Sequence, residues 1–418
     1  MSWRDCNLGD LLEIKHGYAF LGEYFADVGT HIVLTPGNFF DEGGFKQKGD
    51  KEKWYRGPIP SGYVLNEGDL IVAMTEQAEG LLGSSAIIPR SGIYLHNQRL
   101  GLVQLRDAGQ TDTRFVYYIF NWKHVRQQIR ASASGTKIRH TAPSRIASVK
   151  VRVPSVAIQR RIAGILSAYD ELIENSQRRI RILESMARAL YREWFVHFRF
   201  PGHESIRRVP SSLGEIPQGW EVKRVADSFE ISGGGTPSRK EERYWDGGAI
   251  QWFSPSDLTS AGTMFMDDSS DHITALGLVE SSARLFPAMS VMLTSRATIG
   301  AIAINTREAC TNQGFITCLP NDRVPLYFLF HWVTESVPTF QRLASGATFK
   351  EISRGVFKTI EFLQPPAQLT EGFEAVVAPM AGQILALQRQ IQNLRRTRDL
   401  LLPRLLSGQI DVEALDHA

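Results

Sequence analysis

Cysteine, long hydrophobic runs and an excess of charge of one sign are all scarce in this sequence. The three cysteines, Cys6, Cys310 and Cys318, form no CxxC pair and are too few for a disulfide framework. No apolar run is long enough to span a bilayer, and the first ten residues, MSWRDCNLGD, lack the apolar core of a signal peptide. We therefore expect no membrane partner and a reducing, cytoplasmic location. Because the net charge is only +3, any surface for nucleic acid must gather its positive charge locally.

Catalytic motifs are missing as well. The Pro-Pro pair in LQPPAQ (363–368) lacks the flanking Asn or Asp and the aromatic residue of an adenine methyltransferase motif. The sequence has no GxxxxGK[ST] phosphate loop, and SGTK (134–137) lacks the companion motifs of an SxxK enzyme. The ten histidines show no metal-ligand spacing. We therefore expect a binding and scaffolding protein with no catalytic residue, metal or cofactor of its own.

What the sequence does contain is an internal repeat. Within its 418 residues, ASGTK (133–137) is echoed by ASGAT (344–348), so that Ser345 follows Ser134 by 211 positions (345 − 134 = 211). Pro365 follows Pro154 at the same spacing, and two apolar seams with identical steps of three and four residues come next. The seams are Ile158, Ile162, Ile165, Tyr169, Ile173, Ser176, Ile180, Leu183, Ala187, Leu190, Trp194 and Leu369, Phe373, Val376, Met380, Ile384, Leu387, Ile391, Leu394, Arg398, Leu401, Leu405.

The two seams predict paired helices. Both contain an extra step of four, a stutter, at Tyr169 and Met380, and Pro379 favours the first turn of a helix over its interior. We therefore predict a short helix (157–167 and 368–378), a break, and a long helix (about 169–197 and 380–407) of roughly 40 Å. The long helices are predicted to pair antiparallel through Ile173, Ile180, Leu183, Leu190, Ile384, Ile391, Leu394 and Leu401.

A region of short strand-like runs and glycine turns precedes each helical stretch. WRDCNLGDLLEI (3–14) aligns with WEVKRVADSFEI (220–231), and Asn97-Gln98 aligns with Asn312-Gln313. The sequence predicts an α+β protein with two α/β domains related by an internal pseudo-twofold repeat and separated by two long antiparallel coiled-coil helices. The predicted boundaries are 1–153 for the first domain, 154–199 for the first helical region, 200–219 for a proline-containing linker, 220–364 for the second domain and 365–418 for the second helical region.

Several loops of the two domains combine basic, amide and hydroxyl side chains, which hold phosphates and read base edges. The alternative is that each is an ordinary charged surface loop, and we expect Trp54, Trp245 and Trp252 to be core or loop anchors. Lys137 and Lys350 are expected on phosphates. The candidate DNA-binding residues are Lys46, Lys48, Gln98, Arg99, Thr136, Lys137, Arg139, His140, Ser238, Arg239, Lys240, Arg296, Thr298 and Lys350.

Three longer phrases resemble the specificity subunits of type I restriction–modification systems, and the resemblance covers essentially the whole chain. They are RIAGILSAYDELIENSQRRIRILESMARALYREWF (161–195), LGEIPQGWEVKRVADSFEISGGGTPSR (213–239) and RRTRDLLLPRLLSGQIDVEAL (395–415).

The resemblance implies two target recognition domains, each reading one half of a bipartite, asymmetric site in double-stranded DNA. The helices would set the spacer and dock two modification (methyltransferase) subunits, and restriction or translocase subunits would join them. S-adenosylmethionine, ATP and Mg²⁺ would then belong to the partner subunits.

Two other interpretations make different predictions. A coiled-coil adaptor with two protein-binding domains predicts no sequence-selective DNA binding with a methyltransferase partner. A divergent nuclease or methyltransferase predicts activity from the isolated chain. The identical stutter favours helices of matched length, which a spacer requires and an adaptor does not.

Overall fold

The computed structural model describes residues 3–76, 80–346 and 348–414. Two compact units are present: unit 1 is Met1–Glu174 with Gln392–Ala418, and unit 2 is Asn175–Ile391. Each unit contains one strand-rich domain together with one end of each long helix.

Unit 1 is built from short strands and four short helices. The strands are β1 (Arg4–Asn7), β2 (Leu12–His16), β3 (Phe25–Ala26), β4 (His31–Val33), β5 (Trp54–Tyr55), β6 (Leu70–Ala73), β7 (Thr75–Glu76), β8 (Ser85–Ile87), β9 (Tyr94–Leu95), β10 (Leu100–Leu105), β11 (Arg139–His140) and β12 (Lys150–Val153). The short helices are α1 (Leu8–Leu11), α2 (Thr113–Asn121), α3 (Lys123–Ala131) and α4 (Pro143–Ala147), and the first long helix, α5 (Val156–Tyr191), begins here.

Unit 2 contains counterparts of most of these elements and adds further strands and helices. Its strands are β13 (Arg208–Ser211), β14 (Gly214–Pro217), β15 (Glu221–Arg224), β16 (Glu230–Gly233), β17 (Ile250–Phe253), β18 (Phe265–Met266), β19 (Asp271–Ile273), β20 (Val291–Thr294), β21 (Ile302–Asn305), β22 (Ala309–Thr311), β23 (Phe315–Leu319) and β24 (Glu361–Gln364). Its helices are α6 (Val225–Ser228), α7 (Pro255–Ala261), α8 (Ala275–Val279), α9 (Leu326–Glu335), α10 (Val337–Leu343), α11 (Arg354–Lys358) and the start of the second long helix, α12 (Ala367–Leu406).

The sheets of the two units share one topology. The main sheet has the order β2-β10-β6-β8 in unit 1 and β16-β23-β20-β21-β18 in unit 2, and its central strands β6 and β20 are buried along their whole length. The second sheet has the order β3-β5-β4-β9 in unit 1 and β19-β17-β22 in unit 2, each with one parallel pair, β4–β9 and β17–β22. Apart from the edge strands β3 and β18, the strand order is the same. The predicted α+β class and internal duplication are therefore confirmed.

The first and last strands of each domain pair with one another, immediately before a long helix. β1 pairs antiparallel with β12, and β15 pairs antiparallel with β24. This pairing holds the start of each long helix at the same place in its own unit.

The predicted break at Tyr169 and Met380 is wrong, because both long helices are continuous. α5 has 36 residues, followed by a π-helical turn at Arg192–Val196, and α12 has 40 residues. At 1.5 Å per residue they are about 54 and 60 Å long, which also corrects the estimate of 40 Å. Pro379 lies on an exposed face of α12, as does Ala375, whose carbonyl loses its helical donor. Water can solvate that carbonyl, so the packing of the opposite face outweighs the proline penalty.

The seams face the interior in both units. Of the eight residues predicted to pair the helices, Ile173, Ile384 and Ile391 are buried, and none is exposed. In unit 2, Ala187 and Ala381 lie in the same core, and Phe195 packs against Phe373 with ring centroids 5.2 Å apart. Tyr191, at the end of α5, packs against Phe373, near the start of α12, whereas Asp170, earlier in α5, contacts Arg398, near the end of α12. The helices therefore pair antiparallel. Val376 is the seam residue that departs from the pattern, with 43% of its surface exposed.

In unit 1 a polar anchor joins the two helices. Arg398 of α12 donates to Asp170 of α5 at 2.6 Å, and the Tyr118 hydroxyl donates to the other oxygen of Asp170 at 2.6 Å. Burial, together with the Asp170 carboxylate, raises the pKa of Tyr118, so its hydroxyl stays protonated and donates.

The equivalent positions of unit 2 are apolar. Ala381 stands where unit 1 has Asp170, Ala187 where it has Arg398, and Phe328 where it has Tyr118. The repeat therefore preserves the backbone of the helix junction while replacing its ion pair with apolar packing.

The segment predicted as a linker is folded onto unit 2. β13 and β14 form a hairpin, and Phe200, Ile216 and Trp220 belong to the core of the unit. Burial of these three side chains supplies the apolar area that a free linker would lack.

We expect Asp170→Ala to lower the free energy of unfolding by about 1–3 kcal/mol, because it leaves the Tyr118 hydroxyl without its acceptor and leaves Arg398 with the exposed Asp399 as its carboxylate partner. Urea unfolding measures the change. Asp5→Ala is the control, since it removes a surface pair with Arg152 whose side chains are 84% and 58% exposed, and it should cost less than about 1 kcal/mol. Equal effects of the two substitutions would contradict a special role for the anchor.

Glu374 makes the stability of unit 2 depend on pH. Burial raises the pKa of this carboxyl from 4.5 to about 7, although the backbone N–H groups of Phe328 and Tyr327 partly oppose the shift. Between about pH 4.5 and pH 7 the unfolded chain ionises Glu374 and the folded chain does not, so stability falls as pH rises. The free energy of unfolding should therefore decrease over this pH range, and we expect Glu374→Gln to make that decrease about 2–3 kcal/mol smaller.

Urea unfolding at pH 5 and pH 8 measures this difference. Glu371→Gln, an exposed position on the same helix, is the matched control and should follow the wild-type profile. An unchanged pH dependence in Glu374→Gln would show that another group is responsible.

Candidate nucleic-acid interface

The two Ser-Gly loops that reveal the repeat have the same structure. Ser134 and His140 exchange two backbone hydrogen bonds of 2.8 and 2.9 Å, and Ser345 and Glu351 exchange two of 2.8 and 3.0 Å. The glycine after each serine, at 135 and 346, has a φ of +97° and +130° respectively. A Cβ there would lie 2.0 Å from the Ile138 carbonyl oxygen in one loop and 2.2 Å from the equivalent oxygen in the other. Only glycine fits both positions.

In unit 2 the Ser-Gly loop is held beside two other predicted segments. Ala297 N–H donates to the Lys350 carbonyl at 3.0 Å, which joins the loop to 294–300. Ser295 N–H donates to the Gly314 carbonyl at 2.8 Å, which adds the Asn312-Gln313 turn. A fourth segment is fixed to this turn by Thr236, whose hydroxyl lies 2.7 Å from the side-chain oxygen of Gln313. Segments far apart in sequence therefore form one surface.

Unit 1 builds the same arrangement. Thr141 N–H donates to the Met74 carbonyl at 2.9 Å, and Met74 N–H donates to the Arg99 carbonyl at 3.0 Å. Gln98 N–H donates to the Tyr18 carbonyl at 2.9 Å. The Asn-Gln turn, the strand end and the Ser-Gly loop thus lie side by side in both units.

The structure brings most of the predicted residues of unit 1 to this surface. Gln98 and Arg99 lie on the turn, and Arg139 lies on β11, half-buried and paired with β7. The exposed predicted residues of unit 1 are Lys46, Gln98, Arg99, Thr136, Lys137 and His140.

Lys46 and Lys48 belong to a separate loop. Lys48 is half-buried, its ammonium donates to the Thr35 hydroxyl at 3.3 Å, and it lies 3.9 Å from a Glu52 oxygen. Burial lowers its pKa. Lys48 therefore holds the loop together, whereas the Lys46 ammonium lies over the ring of Phe40 and remains accessible.

All six predicted residues of unit 2 are exposed: Ser238, Arg239, Lys240, Arg296, Thr298 and Lys350. The side chains of two of them, Arg239 and Arg296, contact other side chains of the protein. Arg239 stacks on Trp245 at 3.6 Å from the ring centroid and donates to Asp271 at 2.6 Å, so it anchors its loop. Arg296 lies 3.8 Å from Glu351, and both side chains stay accessible. The base and phosphate contacts assigned from sequence remain predictions.

Sequence reasoning missed four side chains on these surfaces. Asn312 and Gln313 marked the repeat but were not proposed as contacts, and Ile138 and Phe349 were not among the candidates. The signal was present, since Phe349 follows Ile138 by the repeat spacing of 211. Both are large apolar side chains within otherwise polar loops.

Among residues 3–76, 80–346 and 348–414, no group of histidine, cysteine, aspartate and glutamate is arranged to hold a metal ion. Over the same described ranges, none of the helices is long and apolar enough to cross a membrane. Cys310 and Cys318 are free and buried, and burial raises the pKa of both thiols, which disfavours the nucleophilic thiolate form.

The fold is a duplicated α+β fold with two equivalent surfaces of basic and amide side chains. Such surfaces can contact phosphates and bases, so the fold and the surfaces indicate a protein that recognises nucleic acid through two similar domains. Residues 2–185 and 217–370 match the family described as the type I restriction modification DNA specificity domain. Since the match covers most of the chain, the protein belongs to this family.

Individual relatives agree. The chain is 27% identical over 321 residues to the type I restriction enzyme MjaIX specificity subunit of Methanocaldococcus jannaschii, covering 72% of this chain and 70% of that one. It is 24% identical over 342 residues to the HindI specificity subunit of Haemophilus influenzae, covering 68% and 74%. Its fold is similar to the crystal structure of the type I restriction-modification S subunit from M. genitalium, with a TM-score of 0.63, 16% identity, and coverage of 97% and 96%.

These findings confirm the expected resemblance and the expected class. Both relatives are named as specificity subunits of type I restriction enzymes, and the matched family is that of the DNA specificity domain.

We expect Gly346→Ala to open the Ser-Gly loop of unit 2, because its Cβ would meet a backbone oxygen and its positive φ is strained for alanine. Hydrogen exchange should show faster exchange of the Ser345 and Glu351 amides. Gly355→Ala is the matched control, since the nearest atom to its Cβ is the Ser353 hydroxyl at 3.8 Å. Unchanged protection in Gly346→Ala would mean that the loop tolerates a side chain there.

Proposed function

We propose that each unit binds one half of a bipartite, asymmetric site in double-stranded DNA, and that the paired helices fix the distance between the halves. One observation carries the proposal: the two Ser-Gly loops share a backbone but not their side chains. Lys137, Ile138, Arg139 and His140 of unit 1 correspond to Thr348, Phe349, Lys350 and Glu351 of unit 2. Equal backbones with different donors, acceptors and charges read different base sequences, so the two half-sites differ.

The helices support the role of a spacer. The repeat offset is constant at 211 from the Ser-Gly loops to the ends of both seams, while it drifts elsewhere in the two domains. The other loops of the two domains differ in length between the repeats, whereas the stretch that contains the helices does not, as expected of an element that sets a distance. Two continuous helices of about 54 and 60 Å are stiff enough for that role.

Exposed apolar side chains on the helices support docking of modification subunits. The exposed fractions are 49% for Leu172, 50% for Ile182, 50% for Met186 and 56% for Leu400. Ile182 and Met186 lie one helical turn apart on α5, and adjoining exposed apolar side chains, unlike single ones, are typical of a protein–protein interface. On this proposal two methyltransferase subunits bind the helices and carry S-adenosylmethionine, while restriction or translocase subunits supply ATP- and Mg²⁺-dependent steps in the cytoplasm.

Co-expression of the chain with the adenine methyltransferase encoded beside it tests the proposal. Single-molecule sequencing then maps N6-methyladenine across the host genome. We expect one bipartite motif with a fixed spacer, lost when this chain is omitted. A complex that leaves the genome unmethylated and binds no DNA selectively would overturn the proposal and favour the adaptor.

We expect Lys137→Ala and Lys350→Ala to weaken binding of the complex to its target duplex and to lower the slope of log affinity against log salt by about one each, because each removes one phosphate contact. Lys150→Ala is the control, since Lys150 is exposed on β12, outside the Ser-Gly loop. Titrations at several salt concentrations measure the slopes. Unchanged affinity and slope in Lys137→Ala would show that this loop does not meet the backbone.

A further inference from the structure

An apolar side chain projects from the same position of both Ser-Gly loops. Ile138 is 41% exposed and Phe349 is 59% exposed, and they are equivalent in the repeat. Single exposed apolar residues are ordinary on protein surfaces. Here the apolar character is kept in both copies although the residues on either side differ, which points to a common ligand chemistry.

In unit 2, Phe349 forms one wall of a shallow depression of about 370 Å³. The rest of its lining consists of the apolar Pro255 and Ala297, the polar Arg296, Asn312 and Gln313, and Gly314. The depression therefore combines an aromatic wall with groups that form hydrogen bonds.

The orientation of Asn312 is fixed by its neighbour. Gly314 N–H donates to the side-chain oxygen of Asn312 at 2.8 Å, and a backbone N–H only donates, so the oxygen must face it. The amide NH₂ of Asn312 is then left as a donor on the depression. The Arg296 guanidinium, 48% exposed, adds further donors.

Donors beside an apolar wall fit one base better than the others. In the major groove, thymine presents the O4 acceptor and the C5-methyl group together. Adenine presents the N7 acceptor beside an amino donor, cytosine presents an amino donor, and guanine presents two acceptors, so thymine alone joins an acceptor to a methyl group. Resting on the proposed function, we propose that Asn312 and Phe349 form a subsite that reads thymine, with the amide on O4 and the ring against the methyl group.

Unit 1 contains the matching elements. Asn97 makes the same turn, accepting from Arg99 N–H at 3.1 Å, which leaves its own amide NH₂ as a donor. Ile138 replaces Phe349 as the apolar contact. Because Asn97 and Ile138 are equivalent to Asn312 and Phe349 in the repeat, the proposal extends to one thymine in each half-site.

Substituting deoxyuridine for thymidine tests the subsite, because it removes only the methyl group. With the motif known from methylation mapping, the complex is titrated against duplexes in which each thymine of the motif is replaced in turn. We expect one replacement in each half to weaken binding roughly fourfold, the value of one buried methyl-sized group. Phe349→Ala should abolish the effect in one half only, and Ile138→Ala in the other half only.

The outcomes separate the subsite from the function. If the wild-type complex binds no specific duplex, the proposed function fails. If it binds but Phe349→Ala keeps the full response to deoxyuridine, or if no single replacement matters, the thymine subsite alone is overturned. Leu343→Ala, which removes a 42% exposed apolar side chain of α10, is the control and should retain the wild-type response at every thymine.

Discussion

The rest of the structure depends on the antiparallel pairing of α5 with α12. Each recognition domain ends in a strand that pairs with its own first strand and leads directly into a long helix. The position of every loop in a unit therefore follows from where its helix starts. In unit 1 the two helices are joined by the ion pair of Asp170 with Arg398, and in unit 2 by the aromatic packing of Tyr191 against Phe373. Burial of the ion pair in unit 1 costs desolvation free energy but specifies one partner for each charge. The aromatic packing in unit 2 stabilises the helix pair through the burial of apolar surface.

The two repeats have the same backbone structure but different side chains at their loop tips. The backbones of the Ser-Gly loops, the Asn-Gln turns and the two sheets are repeated, since they depend on glycine at positive φ and on backbone hydrogen bonds. The side chains at the loop tips are not repeated. A protein that reads two different sequences at a fixed distance needs this combination of one scaffold and two sets of contacts.

Much of this architecture follows from the sequence, because repeat spacing and seam periodicity are global patterns that single substitutions do not hide. The α+β class, the duplication and the inward-facing seams are examples. The helix break at Met380 was wrong, since a local proline preference is outweighed when the lost hydrogen bond faces water and the other face is buried. The carboxylate partners of Lys48 and Arg239 also could not be predicted from the sequence. Their charges are satisfied by Glu52 and Asp271, which lie in contact only after folding.

The most direct test of the account is to give the loop of unit 2 the side chains of unit 1. The variant carries Thr348→Lys, Phe349→Ile, Lys350→Arg and Glu351→His, and its methylation motif is mapped beside that of the wild type. If each unit reads its own half-site and the helices set the spacer, one half of the motif changes while the other half and the spacer length stay the same. A change in both halves, or in the spacer, would contradict the account.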